Sequence, residues 1–299
     1  MKRLAVLNVV GLTRGLLADK MRRLRKFAAD REVASFAPAF PAVTTTAQAT
    51  YLTGRSPAEH GIVGNGWYER EDAEIRFWKQ SNRLVHGEKL WEAVRRERGD
   101  FRCAKMFWWY NMYSSVDWSV TPRPMYPADG RKVFDVYAHP PGLRDELVGH
   151  LGEFPFPGFW GPRAGLPSSQ WIADSARWIE EREEPDLNLV YLPHLDYGLQ
   201  RWGPGAPEME AEYEAIDRLV DELISFFLKR GVEVVLLSEY GISKVRQPVH
   251  LNRIFREKGW IRIRNELGLE LLDAGASRAF AVADHQIAHV YVRDESIRK

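Results

Sequence analysis

Three consecutive threonines, Thr44, Thr45 and Thr46, follow Pro41 and precede a segment, 47–53, that is typical of a helix. Proline disfavours helical backbone in the residue before it, so the helix is expected to begin at the threonines. The first N–H groups and the dipole of a helix favour an anion, so a threonine hydroxyl there can face a phosphoryl group. A threonine at this position can also act only as a helix cap, and the spacing alone leaves both interpretations open.

Two histidines near the end of the chain, His285 and His289, have the His-x-x-x-His spacing of helical zinc proteases. Gln286 stands where such an enzyme needs a glutamate base, and the following segment 290–292 favours a strand, so the protease interpretation is disfavoured. On a strand, the two imidazoles would share one side, because side chains alternate with a period of two. Either one of them binds a metal or a substrate, or both are hydrogen-bonded histidines of the interior.

Short apolar segments alternate with segments of helical periodicity along most of the chain. The pattern predicts strands at 4–10, 102–108, 186–192 and 232–237, and helices at 16–27, 47–53, 88–98, 169–181 and 209–228. Strands separated by helices of this length predict an α/β fold, with parallel strands joined by crossovers and helices on both faces of the sheet. Sites in such folds lie at the carboxyl ends of the strands.

The composition limits the classes of partner. With 42 Lys and Arg against 41 Asp and Glu in 299 residues, the chain has no general electrostatic surface for nucleic acid. Its single cysteine, Cys103, cannot form an internal disulfide, and no apolar segment approaches the roughly 18 residues that span a bilayer. Asn8 and Gly11 interrupt the apolar start of the chain, which favours a buried strand over a signal peptide. We therefore expect a cytoplasmic protein without a membrane span; its oligomeric state is left open.

Residues 110–167 break the alternation with proline, glycine and aromatic residues. Their aromatic content is too high for a disordered linker, so we expect an ordered, irregular cap within a single domain spanning 1–299. The chain has eleven tryptophans, and the aromatic clusters 107–110 and 156–160 lie at the two ends of this segment. Aromatic side chains over the pocket would suit a substrate with an apolar or planar group.

The threonine motif is part of a longer pattern. Two residues separate Phe40-Pro41 from Thr44, and the segment Thr53-Gly54-Arg55-Ser56-Pro57-Ala58-Glu59-His60-Gly61-Ile62-Val63-Gly64-Asn65 follows. This pattern resembles the nucleotide pyrophosphatase/phosphodiesterase and phosphonoacetate hydrolase branch of the alkaline phosphatase superfamily. The resemblance implies an alkaline-phosphatase-like three-layer α/β sandwich with a mainly parallel sheet. It also implies that Thr44 is the nucleophile and that Asn65 holds a substrate oxygen.

The family pattern includes ligands for two metal ions, and this chain departs from it at several of them. Val10 stands where the family has an aspartate on the first strand, and Asn8 is the nearest polar residue. The aspartate of an Asp-x-x-x-His motif is retained as Asp196, but Gln200 replaces its histidine. An amide binds transition metals more weakly than an imidazole does.

Two further ligand positions lie later in the chain. Glu239-Tyr240 replaces the Asp-His of an Asp-His-Gly motif, and a final histidine is retained as His285. Loss of one carboxylate and two imidazoles removes the ligands that zinc prefers, so a tight zinc pair is not expected. The resemblance leaves one or two sites for a divalent ion, Mg²⁺, Mn²⁺ or Zn²⁺. The ligands it implies are Thr44, Asp196, Gln200, Glu239 and His285.

Other polar residues are candidates for substrate contact. Tyr240 can donate a hydrogen bond to a developing oxyanion or be a buried tyrosine of the core, and His194 can contact substrate or pack inside a loop. Asn8 and His289 are further candidates for substrate contact. Lys105, Arg123 and Lys132 can supply positive charge in place of the metals or be ordinary surface charges.

Two functions follow from these observations. The first is hydrolysis of a phosphoester or phosphonate, in the manner of a phosphodiesterase or nucleotide pyrophosphatase, with Thr44 as nucleophile at a remodelled metal site. Its partner would be a small phosphorylated molecule. The alternative is a member of the fold that no longer hydrolyses its ligand and instead binds a metabolite or protein partner.

Overall fold

The computed structural model describes residues 2–298. Its strands are β1 (Leu4–Val9), β2 (Gly66–Glu69), β3 (Glu74–Phe77), β4 (Cys103–Met106), β5 (Trp118–Met125), β6 (Val133–His139), β7 (Leu187–Leu192), β8 (Glu233–Leu237), β9 (Arg262–Glu266), β10 (Leu269–Asp273), β11 (Ala279–Asp284) and β12 (Ile287–Val292). Its α-helices are α1 (Arg14–Asp19), α2 (Arg22–Ala28), α3 (Thr44–Thr53), α4 (Pro57–His60), α5 (Leu90–Glu97), α6 (Leu143–Leu151), α7 (Leu166–Glu183), α8 (His194–Trp202), α9 (Met209–Lys229) and α10 (Leu251–Glu257).

A six-stranded sheet with the order β6-β5-β4-β7-β1-β8 forms the centre of the fold. Five of its strands run parallel: β5, β4, β7, β1 and β8. The sixth strand, β6, pairs with β5 in the antiparallel direction. Three two-stranded hairpins lie outside it: β2-β3, β9-β10 and β11-β12. The α/β architecture expected from the sequence is confirmed. None of the helices between residues 2 and 298 has the length and apolar character needed to cross a membrane.

The central strands are covered on both faces. All six residues of β7 are buried, and Ala5, Leu7 and Val9 of β1 have no exposed surface. Continuous apolar strands of this kind occur where helices cover both sides of a parallel sheet. The carboxyl ends of β1, β7 and β8 therefore lie side by side and lead directly to Thr13, His194 and Glu239, respectively, within a few residues.

The helix predicted over 16–27 is two short helices, α1 and α2, separated near Met21. The cause is a long-range contact: the buried Asp217 carboxylate of α9 accepts hydrogen bonds from the N–H groups of Arg23 and Leu24 at 2.8 and 2.9 Å. A carboxylate at that position stabilises a new helix start, and a continuous helix would have no free N–H groups there.

The segment 110–167 contains more regular structure than the sequence indicates, because β5, β6 and α6 lie within it. Prolines at 122 and 124 argue against a strand, yet both lie on β5. The parallel pairing of β5 with β4 ends at Val120, so the missing proline N–H groups face no partner strand. Irregular backbone is restricted to shorter parts of the segment, such as 126–132.

Lys105 is fully buried on the central strand β4. Its Nζ donates to the carbonyl oxygens of Trp109 and Tyr110 at 3.1 and 3.3 Å and lies 5.2 Å from the ring centroid of Trp91. Phe107 and Tyr110 have φ angles of 64° and 59°, which non-glycine residues rarely adopt. Lys105 therefore holds a strained turn in place and is not available to a substrate. Desolvation of the ammonium lowers the pKa of Lys105 to about 7.

Replacing Lys105 with methionine should change how stability depends on pH. The unfolded chain binds the lysine proton near the ordinary pKa of 10.5, whereas the folded protein releases it at about 7. Between these values the unfolded state binds more protons, so the Lys105 contribution to the free energy of unfolding increases as pH rises from about 7 to about 10. Urea denaturation should show the wild-type protein gaining stability relative to Lys105→Met over that range. A difference that is constant with pH, or that also appears in the exposed control Lys132→Met, would contradict the assignment.

Candidate active site

The threonine helix α3 begins at Thr44, and Val43 is its N-cap without a side-chain hydrogen bond. The threonine is thus the first residue of the helix and not its cap. All three threonines are buried. Thr45 is fixed by Asn65, whose Oδ1 accepts the Thr45 N–H at 3.1 Å, and by Gly64, whose carbonyl accepts the Thr45 hydroxyl at 2.7 Å. These bonds connect the helix start to the motif residue Asn65.

A chain of three oxygen atoms joins Thr44 to the carboxyl end of β7. The Oγ1 of Thr44 lies 3.3 Å from the Tyr240 hydroxyl, which donates to Oδ1 of Asp196 at 3.0 Å. Burial raises the pKa of Asp196, while its hydrogen bonds oppose that shift. The Tyr240 hydroxyl thus stands between the nucleophile and the carboxylate implied by the resemblance.

Glu239 lies beside this chain at the centre of an amide cluster. Its Oε1 accepts hydrogen bonds from Nδ2 of Asn8 at 2.6 Å and Nε2 of Gln48 at 2.5 Å, while Oε2 is buried with no hydrogen-bond partner among residues 2–298. Gln48 in turn accepts the Trp109 N–H at 2.7 Å. Desolvation raises the pKa of Glu239 to about 8, so the carboxyl is largely protonated at neutral pH.

A buried aspartate, Asp284, fixes the other side of the helix start. Its two carboxylate oxygens accept the backbone N–H of Asn65 at 2.6 Å and the Asn65 Nδ2 at 3.0 Å. Nδ1 of His285 lies 3.0 Å from the same carboxylate, and the Asp284 partner raises the pKa of His285. The Asn65 amide keeps one N–H that is not directed at Asp284, which is the atom available for a substrate oxygen.

His285 does not lie on a strand as the sequence predicts. Residues 285 and 286 form the turn between β11 and β12, with φ at His285 of 55°, so only His289 belongs to a strand. The period-two alternation of a strand therefore does not apply to this pair. His289 bonds the Val63 carbonyl oxygen at 2.9 Å, as an interior histidine would, whereas the His285 side chain remains 40% exposed.

Two other candidates lie apart from Thr44. The buried His194 has its Nε2 2.8 Å from the Glu212 carboxylate of α9, and burial lowers its pKa to about 4. Gln200 is exposed and donates its amide to Oδ2 of Asp196 at 2.7 Å. His194 is thus a packed histidine. Gln200 orients the Asp196 carboxylate by donating a hydrogen bond from its amide nitrogen.

Gln48 is a site residue that the sequence analysis does not single out. It lies four residues after Thr44, one helical turn along α3, so the two side chains share a face. A buried glutamine needs hydrogen-bond partners, and Glu239 and Trp109 supply them. The spacing of four residues between Thr44 and Gln48 is the feature of the sequence that could have identified Gln48.

The residues present do not fit the metal pair that the resemblance implies. Among residues 2–298 there is no group of three or more His, Cys, Asp or Glu side chains that could hold a metal ion. The carboxylates of Asp196 and Glu239 face amide nitrogens and a phenol, which are hydrogen-bond donors and not metal ligands. His285 directs Nδ1 at Asp284. Hydrogen bonds therefore occupy three of the four carboxylate oxygens of Asp196 and Glu239, and only Oε2 of Glu239 has no partner among residues 2–298.

An aromatic wall, formed by Trp78, Trp109 and Trp160, borders the site. The rings of Trp78 and Trp109 are 4.7 Å apart, and Trp160 packs edge-on at 5.7 Å from Trp78. Trp78 contacts the site directly. Its backbone N–H donates to the Asn65 carbonyl oxygen at 2.8 Å, and its ring centroid lies 6.4 Å from that of His285. The other aromatic residues of the two clusters, such as Phe107, pack into the core.

The fold and the site define an α/β protein of the alkaline phosphatase type, with a threonine at a helix N-terminus below the carboxyl ends of the parallel strands. The profile of the family described as "Type I phosphodiesterase / nucleotide pyrophosphatase" matches residues 4–298. The chain belongs to this family, and the resemblance found in its sequence is confirmed.

Two curated proteins are similar in sequence. An uncharacterized pyrophosphatase/phosphodiesterase of Schizosaccharomyces pombe is 26% identical over 216 residues, which cover 69% of this chain and 37% of that protein. Ectonucleotide pyrophosphatase/phosphodiesterase 2 of Saccharomyces cerevisiae is 20% identical over 237 residues, covering 70% of this chain and 39% of that protein. The chain thus spans less than half the length of the curated relatives it matches.

Two solved structures share the fold. Phosphonoacetate hydrolase from Sinorhizobium meliloti, in complex with phosphonoacetate, superposes with a TM-score of 0.63 at 15% identity, over 99% of this chain and 72% of that one. Murine ectonucleotide pyrophosphatase/phosphodiesterase 5, an inactive form in complex with AMP, gives 0.60 at 14% identity, over 91% and 66%. These similarities confirm the architecture.

Substituting Asp284 with alanine should destabilise the protein through Asn65. Two buried donors, the backbone N–H and Nδ2 of Asn65, would lose their acceptor, so the free energy of unfolding should fall by about 2 to 4 kcal/mol. Urea denaturation measures this loss. The control Asp129→Ala removes an exposed carboxylate that bonds Arg131, and should leave the free energy of unfolding close to the wild-type value. Equal losses in the two variants would contradict the role given to Asp284.

Proposed function

We propose that the protein is a hydrolase of phosphoesters, most closely a phosphodiesterase or nucleotide pyrophosphatase, with Thr44 as nucleophile. The single observation that carries the proposal is the hydrogen-bonded chain from Thr44 through Tyr240 to Asp196 at the start of a helix. Family membership supports the reaction class. The position of Thr44 at the N-terminus of α3, where backbone N–H groups and the helix dipole attract an anion, supports phosphoryl binding.

The attack begins at Thr44. Its Oγ1 forms a bond to phosphorus while the bond from phosphorus to the leaving ester oxygen breaks. The Thr44 proton passes to the Tyr240 oxygen as the Tyr240 proton passes to Oδ1 of Asp196, so one proton moves from the nucleophile to the carboxylate. The raised pKa of the buried Asp196 makes it a better proton acceptor. The leaving oxygen takes a proton from solvent. Water then bonds to phosphorus and releases one proton to solvent as the bond from phosphorus to Oγ1 breaks, and the proton on Asp196 returns through Tyr240 to Oγ1.

Backbone and side-chain N–H groups would stabilise the negative charge on the phosphoryl oxygens. The first N–H groups of α3 have no partner within the helix. That of Thr45 bonds Asn65, which leaves those of Thr44 and Thr46. The remaining amide hydrogen of Asn65 adds a side-chain donor. Asp284 orients this amide from behind by two hydrogen bonds. The mechanism uses no step through a metal, because the carboxylates accept hydrogen bonds where ligands would be needed.

The proposed partner is a small phosphorylated molecule. The fold neighbours bind such compounds, phosphonoacetate in one and AMP in the other. The aromatic wall beside Asn65 favours a substrate with an apolar or planar group. A second candidate function, ligand binding without hydrolysis, is favoured by one observation: donors bond three of the four carboxylate oxygens of Asp196 and Glu239, the ligands that the family resemblance implies.

Turnover of bis(4-nitrophenyl) phosphate tests the proposal, with the metal content of the purified protein measured in parallel. Wild-type protein should release nitrophenol in EDTA, and Thr44→Ala should abolish turnover because the attacking oxygen is gone. Tyr240→Phe should lower kcat by about 10² to 10⁴, since the proton path from Thr44 is cut. Thr53→Ala, at the far end of the same helix, should keep the wild-type rate.

The outcomes separate the parts of the proposal. No turnover by the wild-type protein, in EDTA or with Mg²⁺, Mn²⁺ or Zn²⁺, contradicts hydrolysis and supports the binding function. Turnover that requires one of these ions and survives Tyr240→Phe keeps the hydrolase but overturns the proton path through Tyr240 and Asp196.

A further inference from the structure

A large pocket adjoins the aromatic wall. Its volume is about 920 Å³, which is ample for a drug-sized molecule. Trp78 and Trp160 form its inner side and belong to both the wall and the pocket. The backbone N–H of Trp78 bonds the Asn65 carbonyl oxygen, so the pocket adjoins a residue of the proposed phosphoryl site.

The walls of the pocket are aromatic and apolar. Phe134 of β6 stacks on Phe156 with centroids 4.7 Å apart and planes 16° from parallel, and Phe156 continues to Trp160 at 6.1 Å. The side chains come from β5, β6 and the segment 156–163, and from β3 and its continuation. Fixed flat surfaces of this kind suit a planar ligand at low cost in side-chain entropy.

The charges around the pocket have one sign. Arg123 and Arg163 both line it, both are exposed, and no described lining residue is acidic. Asp135 is paired with Arg123 across β5 and β6, but its carboxylate binds Arg144 at 2.9 Å instead. Neither Arg123 nor Arg163 forms a salt bridge within residues 2–298. Two guanidinium groups beside an aromatic surface, without a carboxylate of the protein, form a binding site for an anion.

We propose that this pocket binds the non-reacting part of the substrate, a planar aromatic or apolar group that carries a second anionic group, and that Arg123 and Arg163 select for the anion. The inference rests on the proposed function for the reacting end of the molecule. It adds a substrate class, a phosphoester with an acidic aromatic substituent, and two residues that determine specificity.

Probes without phosphorus test the pocket separately from catalysis. Isothermal titration calorimetry compares naphthalene-2-carboxylate with its neutral analogue naphthalene-2-carboxamide. The wild-type protein should bind the carboxylate about tenfold more tightly, as expected for charge-assisted hydrogen bonds in an open pocket. The double variant Arg123→Gln/Arg163→Gln should bind both probes alike. Arg131→Gln, which removes an exposed arginine paired with Asp129 in the same segment, should keep the wild-type preference.

A longer probe tests whether the pocket and the phosphoryl site hold one molecule. A naphthalene with a carboxylate at one end and a non-hydrolysable phosphonate at the other should bind Thr44→Ala protein at least about tenfold more tightly than naphthalene-2-carboxylate, because two sites are filled at once. Equal affinity would overturn the placement of the pocket beside the site. No binding of the carboxylate, or a preference that survives the double variant, would overturn the role of the two arginines. Because no probe is hydrolysed, these results do not depend on turnover.

Discussion

The hydrogen bonds to the Glu239 carboxyl connect three separate parts of the chain. Asn8 comes from the first strand of the sheet, Gln48 from the threonine helix, and Glu239 itself from the end of β8. The helix start, and with it the Thr44 hydroxyl, is held against the carboxyl ends of the strands by this contact. Its second effect is electrical: a desolvated carboxyl with a raised pKa adds little negative charge at neutral pH, so a phosphoryl group can approach Thr44 with less repulsion.

The site can be compared with the metal centre that the sequence pattern implies. Cations in such a centre would hold the carboxylates apart and acidify the nucleophile. Here the Asp196 and Glu239 carboxyl groups instead accept hydrogen bonds from amide and phenol donors. The Tyr240 hydroxyl lies between Thr44 and Asp196. The substitutions are thus mutually consistent: Asn8, Gln200 and Tyr240 each donate to a carboxylate. The replacement is incomplete, because Oδ1 of Asn8 and Oε2 of Glu239 are buried without a hydrogen-bond partner among residues 2–298.

Much of the fold could be predicted from local pattern. The four apolar segments that read as strands are β1, β4, β7 and β8, and the helices α5, α7 and α9 lie where periodicity indicates them. The errors arise from contacts distant in sequence. Asp217 divides the first predicted helix, and the open edge of β5 permits Pro122 and Pro124 within a strand.

The same distinction holds for the site. The Thr44 and Asn65 motif is local, so it was visible, whereas Gln48 becomes a site residue only because Glu239 and Trp109 reach it from elsewhere. His285 was assigned to a strand because valines follow it, but the two-residue turn that connects β11 and β12 falls on it. Orientation of a side chain toward a partner is a tertiary property that spacing does not encode.

The position of β1 has a consequence for biosynthesis. Residues 4–9 lie in the interior of the sheet and pair with residues 187–192 and 233–237. At about 5 to 20 residues per second, the ribosome needs on the order of ten seconds or more to deliver these partners. During that time an apolar strand with two unsatisfied edges is exposed on the nascent chain, where it can pair with other chains. Chaperones that cover short apolar segments of a nascent chain would have a clear binding site at residues 4–9.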